Sequence, residues 1–283
     1  MYPVNKYVMK VAVLLQGEPR FCAEFDYFLE NLSEYDSVDY FVCTWKQSNA
    51  DASTLGSHGH KLVAPAWQNV DHNWAVEKFK ELLPAGHKLV HLDLIDQNTI
   101  QKEPITSNAA VETSQPNVWK MFYSLFEVNK AKSKYENDNG FKYDLVIRTR
   151  PDVALNEKIN LRSIKEYLDA RPNTIQIPQN KRCGYGVYIC DLFGIGSSSN
   201  IDIYCNLYNE ALEHHERGVI FHPETMLAKH LAHHGIQYET GSFNIEFRHL
   251  GHWTDRNTGE TWPSTGVGNW DNKYYTSKFG RWE

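Results

Sequence analysis

The stretch YDLVIRTRPDVAL, Tyr143 to Leu155, sets Arg148 and Arg150 two residues apart after the apolar Leu145, Val146 and Ile147, with Asp152 two further on. Side chains of a strand alternate faces, so both arginines share one side, and Asp152 joins them if the extended path continues. Pro151 has no N–H to give a ladder and holds Arg150 extended, which predicts that a central strand ends there. Two guanidiniums at a strand end can fork onto phosphate oxygens. A carboxylate beside them suits a divalent cation bridging a diphosphate. An internal Arg–Asp ion pair tying strands together accounts for the same residue types.

Other reactive residue types carry weaker patterns. His230, His233 and His234 fall at i, i+3 and i+4 of a helical stretch, with His214 and His215 upstream. No H-E-x-x-H is present, so a zincin is excluded, and these read as surface or hydrogen-bonded histidines. The five cysteines, Cys22, Cys43, Cys183, Cys190 and Cys205, are odd in number and lack C-x-x-C spacing. Free buried thiols are expected rather than a disulfide frame or a zinc site.

The elements that must position the arginines follow from periodicity. KVAVLLQGEPR predicts a strand over Lys10 to Leu15 running into a turn, and VDYFVCTW predicts a second strand over Val38 to Thr44. Phe21, Phe25, Phe28, Leu29 and Leu32 recur at helical spacing between them. This order opens a parallel, doubly wound sheet, whose ligands sit outside the carboxyl ends of its strands, here Gln16 to Arg20 and Thr44 to Lys46. Residues 47 to 73 are polar and read as a loop or small insertion. A helix and the strand HKLVHLDLI follow, and then a long helix, NVWKMFYSLFEVNKAKSKYENDNG, which presents Val118, Phe122, Leu125 and Val128 on one face and stops at Gly140. Beyond Asp152 the pattern predicts a helix at LRSIKEYLDARP, a strand at NTIQIPQ and a strand-rich stretch around Asp191. A helix capped by Ser199 or Asn200, another opened by Pro223 and closed by Gly235, and a strand pair in IQYETGSFNIEFRH complete the reading.

The chain of 283 residues is 41% hydrophobic, enough for one large α/β domain. A formal charge of −6 excludes a general nucleic-acid-binding surface, so any anion must be met by a local cluster. The apolar run Val11 to Leu15 is too short for a signal segment, and no run reaches the eighteen apolar residues of a transmembrane helix; a cytoplasmic location is expected.

The set VAVLLQGEPR, DYFVCTW, NVWKMFYSLFEVNKAKSKYE leading into YDLVIRTRPDVAL, then DLFGIGSSSNIDIYCNLY and HPETMLAKHL, resembles sugar-nucleotide glycosyltransferases of the GT-A fold. The likeness is to microbial and large-virus enzymes carrying an Arg-x-Arg-Pro-Asp strand end and a later Pro-Glu helix, and it spans roughly residues 10 to 250. It implies a mostly parallel twisted sheet flanked by helices over residues 1 to 250, with an aromatic-rich extension over 251 to 283 packed on or near the active site. The activity implied is transfer of a sugar from a nucleotide diphosphate to a glycan hydroxyl. In that fold an Asp-x-Asp element holds manganese or magnesium on the donor diphosphate; here position 150 is Arg, and only Asp152 remains of the pair.

By the same resemblance, Gln16, Gly17 and Arg20 form the nucleotide side of the donor pocket, Thr44 and Trp45 flank base or sugar, and Tyr123 lines the site. Arg148, Arg150 and Asp152 meet the diphosphate or its cation, and a C-terminal histidine, His249 or His252, adds a second metal contact. An inverting reaction needs a proton acceptor for the attacking hydroxyl, and the candidates are Asp191 in CDLFG and Glu224 in HPETM. Glu224 is also an ordinary acid for a helix first turn, and a retaining reaction needs no such base. Trp253, Trp262, Trp270 and Trp282 of the tail could stack on sugar rings or staple the C-terminus to the domain. A non-catalytic carbohydrate-binding protein on the same scaffold is the alternative reading.

Overall fold

A computed structural model describes residues 9–17, 32, 35, 37–46, 60–63, 80–81, 83–100, 115–151, 153–155, 158–178, 189–247, 250–255 and 261–265. Its centre is β1 (Val11–Gly17), a run of apolar residues buried on both faces, as a central parallel strand must be. It pairs in parallel with β2 (Val38–Trp45) on one side and β5 (Leu145–Thr149) on the other. Outside β2 lies β4 (Lys88–Ile95), parallel again and only partly buried, as befits an edge.

Beyond β5 come β8 (Gly194–Gly196), β7 (Thr174–Ile177) and β9 (Gln237–Thr240). β8 runs antiparallel to both neighbours, and β9 is parallel to β7. In chain order within this seven-stranded sheet the strands lie 3-2-1-4-6-5-7. The result is a single α/β domain with a mixed, mostly parallel sheet flanked by helices, a Rossmann-like and GT-A-like arrangement.

Helix α1 (Gln115–Asn139) returns the chain from the carboxyl edge to the start of β5. Val118, Phe122, Leu125 and Val128 recur at three- and four-residue spacing and are buried, so its apolar stripe covers the sheet. Gly140, at φ +66°, ends it. α2 (Leu161–Asp169) buries Leu161, Ile164 and Leu168, and Asn160 caps it by accepting from the Ser163 amide at 3.1 Å. Where a single capped helix is predicted after β8, the chain makes two, α3 (Ser198–Cys205) and α4 (Leu207–Glu216), and the cap is Ser197. Gly196 permits that packing: a Cβ there would sit 3.3 Å from Ile175 and Ile201. α5 (Pro223–His233) has Pro in its first turn and is followed by Gly235 at φ +69°.

Two small sheets depart from the sequence expectation. The polar segment 47 to 73 contains β3 (His60–Val63), which pairs with β11 (Leu250–Asp255), itself paired with β12 (Thr261–Thr265). The strands of the expected late pair do not meet each other: β9 joins the main sheet, while β10 (Ile245–Phe247) pairs with β6 (Val153–Leu155). The described cysteines, Cys43, Cys190 and Cys205, are free and buried.

A buried ionic network ties α1 to α3. Lys132 lies 2.8 Å from Asp202 and 3.3 Å from Glu136, and Ser198 donates to Glu136 at 2.6 Å. Burial alone would raise the Glu136 carboxyl. Hydrogen bonds from Lys142, Ser198 and the Tyr143 amide, together with the Lys132 charge, outweigh it and hold the group below the usual carboxylate range.

Candidate functional site

Because β1, β2, β4 and β5 are parallel, Gly17, Trp45, Ile95 and Thr149 end at one edge of the sheet. Antiparallel β8 begins at that edge, which puts Asp191, three residues before it, beside the end of β5. α1 and α5 both begin there, and Trp119 of α1 packs on Phe221, just before α5, with ring centroids 5.0 Å apart. Gln16, Gly17, Thr44, Trp45, Tyr123, Arg148, Arg150, Asp191 and Glu224 therefore lie on or flank elements that start or end at this edge, whereas His252 lies on β11 of the three-stranded sheet.

At the end of β1, Gly17 adopts φ +109°, a conformation natural to glycine, and no described residue lies within 4 Å of the position a Cβ would take. The Thr44 hydroxyl donates to the Gly17 carbonyl at 2.7 Å, locking the ends of β1 and β2 together. Gln16 is buried; its Oε1 accepts from Ser124 of α1 at 2.6 Å, and its Nε2 has no hydrogen-bond partner among the described residues. Trp45 is buried as well, so its indole is wall rather than an open stacking face. Tyr123 is half-buried and meets Tyr208 of α4 edge-on, centroids 5.2 Å apart.

The two arginines have different environments. Arg148 is wholly buried. Its Nη1 donates to the main-chain carbonyl of Asp191 and, at 3.4 Å, to the Tyr204 hydroxyl, and its guanidinium lies 5.5 Å from the centre of that ring. Nε and Nη2 have no hydrogen-bond partner among the described residues. Arg150 is only partly buried, past the last residue of β5, and its carbonyl accepts from the Val153 amide at 3.2 Å, so the chain turns there. The shared face predicted for the pair thus leads in two directions: Arg148 inward, Arg150 to the rim.

Asp191 is buried at 8% exposure. Glu224, in the first turn of α5, approaches His222 Nδ1 at 3.0 Å. Arg20, Asp152 and His249 lie outside the described residues, as do Trp270 and Trp282 of the tail.

Sequence reasoning missed a second group. Glu210, His214 and His230 bring one ligand atom each within 4.8 Å of one another, and Glu210, His233 and His234 do the same. A candidate divalent-cation cluster with a single acid is therefore present among the described residues, in other residues than those the resemblance implies. His233 and His234 are followed by the start of β9, which places this cluster toward the amino edge, opposite Gly17 and Arg150. Two i, i+4 pairs, Glu210 with His214 and His230 with His234, are its only trace in the sequence. A Rossmann-like sheet with a candidate cation cluster is consistent with a nucleotide-binding enzyme in general. No protein-family model matches the chain, and no curated protein matches it.

Proposed function

We propose that the protein is a glycosyltransferase that moves a sugar from a nucleoside diphosphate to a glycan hydroxyl at the carboxyl edge of the sheet. The observation that carries this reading is the anchoring of Asp191 by the buried Arg148 beside the end of β5, next to Arg150 at the rim. The space above Gly17, which no described residue fills, is where a nucleotide would approach the backbone.

In the proposed reaction the acceptor oxygen attacks the anomeric carbon, the bond from that carbon to the diphosphate oxygen breaks, and the hydroxyl proton passes to Asp191 or Glu224. The leaving diphosphate carries away the bonding pair, and Arg150 meets its charge in fork geometry. Arg148 positions Asp191 rather than touching the donor. A divalent cation at Asp152 and His249 would supply further neutralisation of the diphosphate.

The test is a thermal-shift and calorimetric screen of nucleoside diphosphates and their sugars, each with and without manganese. Stabilisation by one base with its sugar, followed by slow hydrolysis of that donor without acceptor, is the expected result. A folded protein that responds to none of them sinks the reading and leaves carbohydrate binding without catalysis.

A further inference from the structure

The cluster on α4 and α5 has geometry that packing alone does not demand. His230 is fully buried, and its Nε2 lies 2.7 Å from the Ile203 carbonyl, so that nitrogen carries the proton and Nδ1 presents its lone pair. Around this Nδ1 stand His214 Nε2 at 3.1 Å and Glu210 Oε2 at 3.3 Å, themselves 3.7 Å apart. A tetrahedral ion with bonds of about 2.0 to 2.1 Å has ligand atoms about 3.3 Å apart, so the three separations match the edges of such a tetrahedron with little adjustment.

The surroundings fit the same purpose. Glu210 Oε1 accepts from Asn206 at 2.8 Å, which leaves Oε2 to the cluster, and the Ile203 carbonyl orients the His230 ring. Outer contacts of this kind are what hold metal ligands in place. His234 Nε2 reaches Glu210 Oε2 at 2.8 Å from the solvent side. With His230 Nδ1 bare, metal-free His214 must hold its proton on Nε2; loading moves that proton to Nδ1.

We propose that Glu210, His214 and His230, with water as the fourth ligand, form a structural site for a zinc-class ion that clips α4 to α5. Imidazole nitrogens with one carboxylate select zinc, cobalt or nickel over magnesium, calcium and manganese. The site is separate from the edge where a nucleotide sugar would bind and stands whether or not that reading holds.

Untagged protein stripped with a chelator is titrated with Zn2+ against a chromophoric competitor and, separately, with Co2+ while visible absorption is recorded. One equivalent of Zn2+, intense tetrahedral Co2+ bands and a raised melting temperature are expected, with no comparable response to Mn2+. Substituting the buried His230 risks the fold, so the partly exposed ligand carries the test: Glu210→Gln should weaken Zn2+ by at least about 10-fold. Absence of stoichiometric zinc, a six-coordinate cobalt spectrum, or unchanged affinity in Glu210→Gln overturns the site. None of these readouts uses a sugar donor, so failure here and failure of the transferase reading are distinguishable.

Discussion

Arg148 Nη1 donates to the main-chain carbonyl of Asp191, so a cation sealed inside the sheet sets the position of an acid at its edge. Replacing a buried charge with a well-packed apolar chain removes its desolvation cost, whereas the orphaned carbonyl loses about 1 to 3 kcal/mol. Arg148→Met should therefore leave stability within about 2 kcal/mol of the parent while turnover falls by more than about 10-fold and donor affinity stays near normal. Calorimetry and steady-state kinetics on the same preparation check this; unchanged turnover would reduce Arg148 to a packing residue.

Arg150 is the rim member of the pair. Arg150→Ala and Asp152→Asn are expected to abolish donor binding with the melting temperature nearly unchanged, and calorimetric titration of the donor found by screening checks both. Parental affinity in both variants would remove the diphosphate from this strand end.

Gly17→Ala forces a Cβ onto a backbone at φ +109°. No described residue crowds the added methyl, and the backbone strain costs about 1 to 3 kcal/mol. Urea unfolding should show that loss at constant slope, and donor affinity should fall with it because the methyl enters the space at the end of β1.

Lys132 is the buried partner of Glu136 and Asp202. Lys132→Met leaves those acids undercompensated and should cost about 3 to 5 kcal/mol, whereas Lys134→Met, which breaks the exposed pair with Asp138, should cost under about 1 kcal/mol. Chemical denaturation of the two variants side by side makes the comparison.

The same network sets a pH dependence. The carboxyls of Glu136 and Asp202 are both held below their ordinary values of 4.5 and 3.8, against the upward pull of burial. Their stabilisation is fully present above those values and is lost as pH falls through the lower, folded-state values. Melting temperature should drop steeply on acidification below about pH 4 in the parent protein, and less steeply in Glu136→Gln. Equal slopes in the two would remove Glu136 as the source.

Much of the frame was legible in one dimension. The double-sided apolar runs of β1 and β5 announce buried parallel strands, and the spacing of Val118, Phe122, Leu125 and Val128 with Gly140 behind it marks α1. These signals are local, because strand and helix periods depend on near neighbours alone. From the strand order follows the edge on which Gln16, Gly17, Thr44, Arg150 and Asp191 gather.

Tertiary structure decided the rest. Alternation tells which face Arg148 takes but not what covers that face, and the cover is Tyr204 and the Asp191 turn. A four-residue strand hidden in a polar segment, β3, is specified by its partner β11 rather than by its own composition. The histidine cluster needed the register between α4 and α5, which is set by their packing. Glu210 and His230 are distant in the chain, so no spacing rule joins them until the helices lie side by side.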